Sequence, residues 1–153
     1  MSDAPVPRAA PVPVPDADTA PFWEAARERR LVVPRCASCG HWIWQPKPLC
    51  PRCSTPDPLW TEVDGAARLA SWTVLRPPVL PAYADRVPFV IVLAELDEGV
   101  RLVGQLVGDD GTLLRTDGTA EGIAMDARLA LRWRDVGDWT LPVWTLSSGP
   151  ATG

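Results

Sequence analysis

The segment CASCGHWIWQPKPLCPRC, residues 36–53, decides how the rest of this chain is interpreted. It holds all four cysteines of the sequence in the pattern C-x2-C-x10-C-x2-C. Each C-x2-C pair can place two thiolates on one tight turn, and two such turns offer the sulfur tetrahedron that zinc prefers. Gly40 directly follows the first pair and suits the positive φ that these turns often need. The spacing predicts one structural Zn²⁺ held by Cys36, Cys39, Cys50 and Cys53.

Iron is the alternative metal, because four thiolates also accept iron in a rubredoxin-like electron carrier. Zinc is favoured, since four sulfurs leave no open coordination position and the sequence suggests no second redox centre. His41 is the only histidine, and we interpret it as a residue of the hairpin because four cysteines already suffice. Trp42 and Trp44 lie two residues apart, so they share one face of that hairpin. They either pack against the helix or barrel or contact a partner or ligand.

Composition and charge limit the class of protein. The chain has 153 residues, and a hydrophobic content of 46% is enough for one domain of usual size. No apolar run is long enough to span a bilayer and the N-terminus lacks a secretion signal, so we expect a cytoplasmic protein. In a reducing compartment, paired cysteines favour metal binding over disulfides. A net charge of -4, with arginines spread along the chain, argues against a nucleic-acid-binding protein.

The chain divides into five segments by composition. The first is rich in proline and alanine and is predicted to be disordered. In the second, Pro21 lies just inside a helix start that Asp18 or Thr19 can cap, and Phe22, Ala25 and Ala26 form its apolar face. The predicted segments are a tail at 1–20, a helix and lead-in strand at 21–34, a zinc ribbon at 35–56, a barrel domain at 57–147, and a C-terminal tail at 148–153.

The barrel domain is predicted from strand patterns and turn residues. Asp97, Glu98 and Gly99 separate two apolar strands and indicate an antiparallel hairpin. Pro142 cannot donate to a ladder, so its strand is expected at an edge, a bulge or a strand end. Two long polar or proline-rich loops, 76–88 and 108–122, connect the strands. The predicted strands are ARLASWTVL (67–75), FVIVLAEL (89–96), VRLVGQLV (100–107), ARLALRWR (127–134) and WTLPVWTL (139–146).

This count predicts a mainly β fold: an N-terminal helix and a rubredoxin-like zinc ribbon, followed by a five-stranded OB-fold barrel. A small sandwich also fits the count. Alternation in the fourth strand places arginines on its outer face, where they either bind phosphates or are simply solvated. Tyr83 in the proline-rich loop can stack on a ligand, dock on a partner or pack within its loop. The candidate phosphate or coenzyme A contacts are Arg76, Arg128, Arg132 and Arg134.

Catalytic constellations are scarce in this sequence. Serine–histidine–aspartate chemistry would need His41, which lies inside the ribbon. Neither common glycine-rich phosphate loop occurs. Asp97 and Glu98 are adjacent carboxylates in a tight turn, where we expect them to point apart into solvent. The sequence therefore predicts no catalytic residue.

The order of these motifs resembles the DUF35 family, which joins a zinc ribbon to an OB-fold. The resemblance covers residues 22–146 and rests on FWEAARERRLVVPRCASCG, PKPLCPRC, the strand after DGAARL, the hairpin LAELDEGVRLVGQLVG and the late LPVW. The cysteine block is its most specific part. The stretch 109–122 and the proline-rich tail depart from the common pattern.

The resemblance implies an accessory or scaffold subunit and not a self-sufficient enzyme. Similar proteins form complexes with thiolase-like or MaoC-type hydratase enzymes in acyl-CoA or acyl-transfer metabolism, and some contact the acyl-CoA. Two alternatives remain at this stage. One is a single-stranded nucleic-acid-binding module, since zinc ribbons and OB-folds bind nucleic acid elsewhere. The other is the iron electron carrier.

Overall fold

The computed structural model describes residues 9–147. Residues 1–8 of the predicted N-terminal tail and the whole predicted C-terminal tail, 148–153, lie outside the described residues. Residues 9–16 of the predicted N-terminal tail contain no helix or strand, and the disorder of that tail stays a prediction. No helix among the described residues is long and apolar enough to cross a membrane. The elements in chain order are α1 (Ala20–Arg27), β1 (Leu31–Arg35), β2 (Leu59–Val63), β3 (Ala67–Leu75), a 3-10 turn (Pro81–Tyr83), β4 (Phe89–Leu96), β5 (Arg101–Gln105), β6 (Arg128–Val136) and β7 (Trp139–Leu146).

Helix α1 begins where the sequence predicts, with Pro21 in its first turn. Its predicted apolar face is confirmed, because Phe22, Ala25 and Ala26 are all buried. The expected side-chain cap is wrong in detail. Thr19 occupies the cap position, but its hydroxyl donates to Asp16 Oδ1 at 2.6 Å and makes no capping bond to the helix. A turn closed by Asp16 therefore precedes the helix in place of a capping side chain.

The lead-in strand β1 pairs with β2 in a separate two-stranded antiparallel sheet. Leu31 lies opposite Val63 and Arg35 opposite Leu59, so the two strands frame the cysteine segment. Residues 57–147 were predicted to belong to the barrel, and the pairing of β2 with β1 was not predicted. Its physical reason is burial, because Leu31, Val33 and Val63 join the core shared with the barrel.

The other five strands form one antiparallel sheet in the order β5-β4-β3-β6-β7. The predicted β4–β5 hairpin is confirmed, and the Leu96 N–H donates to the Val100 carbonyl at 2.8 Å. The sheet closes on itself where the Val107 N–H donates to the Trp144 carbonyl at 2.8 Å. This closure makes the domain a barrel and not a sandwich. Pro142 lies within β7, which pairs along its length with β6 alone and meets the segment after β5 only at Trp144. Of the predicted placements for this proline, the edge position therefore fits.

The barrel interior is apolar and tightly packed. Trp144 is its largest fully buried side chain, and Phe89, Leu69 and Leu106 are also fully buried. Gly104 permits the approach of β5 to β7, because a Cβ at this position would lie 2.8 Å from the Trp144 ring. The lack of a side chain at Gly104 therefore allows β5 to pack closely against β7.

Candidate metal centre and ligand surface

The two cysteine turns have the same backbone geometry. In the first, the Gly40 N–H donates to the Cys36 carbonyl at 3.0 Å and Gly40 has a φ of +71°. In the second, the Ser54 N–H donates to the Cys50 carbonyl at 2.9 Å and Ser54 has a φ of +60°. The left-handed residue that the sequence predicted after the first pair therefore recurs after the second, with serine in place of glycine.

The four sulfur atoms lie together between these turns, within 4.8 Å of one another. Cys36 and Cys53 Sγ are 3.5 Å apart, and Cys39 and Cys50 Sγ are 3.7 Å apart. Metal–sulfur bonds of about 2.3 Å in a tetrahedron separate the sulfurs by about 3.8 Å. The donor set fits a four-thiolate structural metal site, which confirms the predicted grouping. Cys36 and Cys50 are buried, while Cys39 and Cys53 face solvent.

Hydrogen bonds to two of the four sulfurs lower the pKa values of their thiols. A side-chain hydrogen bond with Thr55, 3.2 Å from the Cys53 Sγ, and the Thr55 backbone N–H lower the pKa of Cys53 to about 6. The Cys39 backbone N–H donates to Cys36 Sγ at 3.5 Å and lowers the pKa of the Cys36 thiol. Both effects favour the thiolate, which is the form that binds metal. At Cys39 a hydrogen bond with the His41 backbone lowers the pKa, but burial and the three neighbouring thiols outweigh it and raise the pKa to about 11.

The hairpin between the cysteine pairs joins the metal site to the barrel. Ile43 is buried against Cys36 and Cys50, and its N–H donates to the Pro34 carbonyl at 2.8 Å. Trp42 and Trp44 pack instead against the main core, and the Trp44 ring centroid lies 5.2 Å from that of Phe22. His41 contributes its backbone carbonyl, which accepts from the Cys36 N–H at 2.8 Å.

An apolar cavity of about 350 Å³ lies where α1, this hairpin and the barrel meet. Aromatic side chains line one side of it, and segments of β5 and β7 line the other. Because its walls come from elements far apart in sequence, no local pattern predicts it. Its lining includes Phe22, Trp23, Trp44, Val103, Gln105 and Leu141.

The four arginines predicted to contact phosphate are not brought to one place. Arg128 donates to both carboxylate oxygens of Asp97, at 3.0 and 3.2 Å, so a carboxylate already neutralises it. Arg132 is exposed and donates to the Leu131 carbonyl at 3.0 Å. Arg76 is exposed and adds, after the dominant hydrogen bond from Thr119, to the lowered pKa of Asp117.

Arg134 stands apart from Arg128. The two are six residues apart on β6, a separation of roughly 20 Å along a strand. The Arg134 guanidinium donates to Gln105 Oε1 and is half-buried.

The adjacent carboxylates Asp97 and Glu98 were both expected to point into solvent. Asp97 instead pairs with Arg128, and the Glu98 Oε2 atom is buried without a hydrogen-bond partner.

Two further arginines, Arg86 and Arg115, lie in the long loops and were not among the predicted contacts. Arg115, in the second long loop, donates to the Val87 carbonyl at 2.9 Å, so it lies beside the end of the proline-rich loop. Arg86 precedes Val87 in that loop. Tyr83 packs on Phe89 with ring centroids 5.6 Å apart. Loops lack the periodicity that places strand residues on a face, so the sequence holds no signal for where these loop side chains lie.

Two family models match the chain and together span the ribbon and most of the barrel. The model of the ChsH2 rubredoxin-like zinc ribbon domain matches residues 23–58, and that of the ChsH2 C-terminal OB-fold domain matches residues 60–134. A solved chain described as "Ltp2-ChsH2(DUF35) aldolase" is 34% identical, with a TM-score of 0.75, over 88% of this chain and 98% of that one. The chain belongs to the ChsH2 (DUF35) family. This confirms the resemblance found in the sequence.

This ChsH2-family chain is also similar to parts of two longer hydratase subunits. It is 42% identical over 98 residues to a "probable enoyl-CoA hydratase alpha subunit" of Thermomonospora curvata, covering 64% of this chain and 30% of the relative. It is 33% identical over 133 residues to the "3-oxo-4,17-pregnadiene-20-carboxyl-CoA hydratase alpha subunit" of Mycobacterium tuberculosis, covering 83% of this chain and 37% of the relative. The chain thus spans about a third of the length of these two hydratase subunits.

The archaeal relatives are shorter. A "DUF35 domain-containing scaffold protein" of Methanothermobacter thermautotrophicus is 28% identical over 95 residues, which is 61% of this chain and 71% of the relative. A solved DUF35-family protein of unknown function from Sulfolobus solfataricus is 13% identical over 86% of both chains, with a TM-score of 0.57, and supports the fold alone.

Proposed function

We propose that this chain is a non-catalytic accessory subunit of an enzyme complex in acyl-CoA metabolism. The observation that carries the proposal is the match to the solved chain described as Ltp2-ChsH2(DUF35) aldolase, at 34% identity over 98% of that chain. The hydratase alpha subunits and DUF35 scaffold proteins among its relatives support the same role. The partner is a thiolase-like or MaoC-type hydratase protein, and the complex is a hetero-oligomer in the cytoplasm.

Zinc is the proposed metal, and its role is structural. Four thiolates fill a tetrahedral coordination sphere, which leaves no position for substrate. The test is metal analysis of the purified protein. We expect about one zinc per chain and no red iron–thiolate absorption; iron at that stoichiometry would instead support an electron carrier.

The apolar cavity is the proposed contact for the acyl part of an acyl-CoA. Its volume of about 350 Å³ falls within the range of small-ligand pockets, and its walls are mainly aromatic and aliphatic. Val103 lies at its mouth and is 68% exposed, so this position can be enlarged without disturbing the core. Val103→Trp should weaken acyl-CoA binding roughly tenfold in a calorimetric titration, whereas Leu80→Trp, in the proline-rich loop, should leave binding unchanged. Equal binding by both variants would contradict this contact.

Co-expression with the enzymes encoded by neighbouring genes tests the accessory role. We expect a thiolase-like or hydratase-like neighbour to elute with this chain in size-exclusion chromatography and to lose activity without it. Cys36→Ser should abolish co-elution if the ribbon must be folded for assembly, and His41→Ala should preserve it. A neighbouring enzyme that elutes separately and is fully active alone would refute the proposal.

A further inference from the structure

The apolar cavity between α1, the ribbon hairpin and the barrel has three polar side chains in its wall, those of Thr19, Gln45 and Gln105. Among the described residues that line it, none has a charged side chain. A charged group placed there would lose its hydration without gaining a counter-ion, which costs free energy. The part of a ligand that enters this cavity is therefore neutral.

The three polar side chains differ in what they can still bind. The Thr19 hydroxyl donates to Asp16 Oδ1 at 2.6 Å and accepts from the Asp16 N–H at 3.1 Å, so the turn before α1 already uses it. Gln45 and Gln105 are the only carboxamide side chains in the sequence, which has no asparagine. Gln45 is exposed, so water competes for its amide, whereas Gln105 is half-buried at the end of β5. Gln105 is therefore the polar group that a ligand meets with least competition from water.

Arg134 fixes the orientation of the Gln105 carboxamide. Its guanidinium donates to Gln105 Oε1, and among the described residues it is the only hydrogen-bond partner of that side chain. A guanidinium has donors and no acceptor, so the atom that faces it is the amide oxygen and the Nε2 group points away from it. Arg134 itself does not line the cavity. The positive charge thus stays outside the wall, and Gln105 is left with unused N–H donors.

The Nε2 group of Gln105 has open space beside it. Among the described residues, the only buried side-chain nitrogen or oxygen without a hydrogen-bond partner is Glu98 Oε2. The unpartnered Gln105 Nε2 is therefore accessible, and its residue lines the cavity. An N–H donor in a neutral, apolar wall pairs with a neutral acceptor, and a carbonyl oxygen is such an acceptor. We infer that Gln105 recognises a carbonyl oxygen on the apolar ligand of this cavity, with Arg134 as its positioning residue.

This inference rests on the proposed acyl contact and adds to it the polar group that the ligand carries. The rest of the ligand is apolar, because Phe22, Trp23 and Trp44 form one side of the cavity. Two carbonyls of an acyl-CoA have this chemistry: a keto group within the acyl chain and the thioester carbonyl itself. Both are neutral, so both fit a wall without a counter-ion.

Equilibrium dialysis of the metal-loaded full chain tests the role of Gln105. The probes are 2-acetylnaphthalene and 2-isopropenylnaphthalene, which have nearly the same shape but carry a carbonyl oxygen and a methylene group, respectively, at the same position. Gln105→Met keeps the side-chain length and removes the donor. The ratio of ketone to alkene affinity should fall about three- to tenfold in this variant, because only the ketone loses a hydrogen bond. Comparing this ratio between proteins cancels the different hydration of the two probes.

Gln45→Leu is the matched control, since it removes the other carboxamide of the same wall. It should change the ratio by less than about twofold, because an exposed amide exchanges one hydrogen-bond partner for water. Arg134→Met should lower the ratio about two- to threefold by freeing the carboxamide to rotate, and Arg134→Lys, which keeps a donor to Oε1, should restore it. Gln105→Glu keeps the Arg134 contact but has no N–H, so it should also lower the ratio, and it serves as the second variant if Gln105→Met does not fold.

A ratio that is unchanged in Gln105→Met, or that falls equally in Gln45→Leu, would overturn the inference, as would the absence of ketone binding to the wild type. A thioester probe, S-methyl naphthalene-2-carbothioate, separates the two sources of the carbonyl. The probe whose affinity depends more on Gln105 identifies the group that the site recognises. Loss of the Gln105 effect leaves co-elution with a partner enzyme unaffected, and failure to co-elute leaves the dialysis results unaffected. The inference and the accessory role therefore fail separately.

Discussion

Ser54 holds a backbone conformation that glycine holds at the equivalent place in the first cysteine turn. A φ of +60° is costly for a residue with a Cβ, by roughly 1 kcal/mol, so the surrounding contacts must impose it. The N–H groups of Gly40 and Ser54 both close their turns onto a cysteine carbonyl. The backbone is therefore shaped by the ligand arrangement at both turns, whichever residue occupies the position.

The metal ligands and the histidine beside them should respond differently to substitution. Cys36→Ser should reduce bound metal well below one equivalent and lower the melting temperature, because it removes one thiolate from a closed four-sulfur site. His41→Ala should keep a full equivalent, because the hydrogen bonds of His41 in the turn come from its backbone, which alanine retains. Metal analysis with thermal unfolding measures both. Loss of metal from the His41 variant would make the histidine a ligand.

Substitution of Gly104 tests how closely strands β5 and β7 pack. A methyl group there would lie 2.8 Å from the ring of Trp144, which is fully buried and cannot move outward freely. Gly104→Ala should therefore destabilise the fold by about 1–3 kcal/mol, the usual cost of overpacking. Gly108→Ala is the control, because its nearest contact is the side-chain oxygen of Asp110, at 3.1 Å on a surface turn. Chemical denaturation that shows equal stability for the two variants would contradict the packing account.

At the scale of elements, one carboxylate ties three neighbouring strands together. Glu95 on β4 binds Arg68 on β3 and Arg101 on β5, and the Arg101 Nε lies 2.6 Å from Glu95 Oε2. Only 14% of the Glu95 side chain is exposed. Hydrogen bonds from Arg101 and then Arg68 lower the pKa of Glu95. The pairing strengthens the cross-strand ladder on this face of the sheet.

The lowered pKa of Glu95 predicts the sign of its pH dependence. Its contribution to stability is fully present above the ordinary carboxyl pKa, and it is lost as pH falls through the lowered value. Glu95→Gln should therefore melt at a lower temperature than the wild type at pH 7, with the difference shrinking as pH falls below about 4. The exposed Glu121→Gln should match the wild type throughout. A melting difference that stays constant down to acid pH would rule out the ionic contribution.

At the scale of the whole molecule, the ribbon and the barrel have separate sources of stability. Ile43 packs with Cys36 and Cys50, so the ribbon's own small core depends on the metal site. The barrel core, which includes Leu69, Val90 and Trp144, lies outside that cluster. Metal binding in ribbons of this kind is worth on the order of 10–16 kcal/mol of apparent free energy, whereas the barrel depends on apolar burial.

Chelation should therefore unfold the two parts unequally. Metal removal should abolish hydrogen-exchange protection of the Cys36 and Ile43 amides while leaving that of strands β3 and β4 largely intact. Exchange measured by mass spectrometry before and after chelation checks this. Re-addition of one equivalent of zinc should restore the ribbon. Simultaneous loss of protection in both parts would mean that the barrel is not stably folded without the metal-bound ribbon.

The parts predicted well are those with a local signal. The cysteine spacing indicated the metal site, the apolar face of α1 was confirmed at Phe22, and three turn residues marked the β4–β5 hairpin. The cap at Thr19 was wrong because its hydroxyl has two competing partners, and Asp16 outcompetes the helix amides. Three of the four candidate phosphate contacts were expected on one strand, yet Arg128 pairs with Asp97 and lies far from Arg134 along that strand.

The sequence by itself determined the metal donors, the five barrel strands along the chain and the family, because each depends on residues close together or in a fixed order. Only the tertiary structure decided the pairing of β1 with β2, the cavity between helix, ribbon and barrel, and the pairing of Arg128 with Asp97. These features join residues from distant segments. Their positions depend on how the barrel closes around Trp144, and no local pattern of residues encodes that closure.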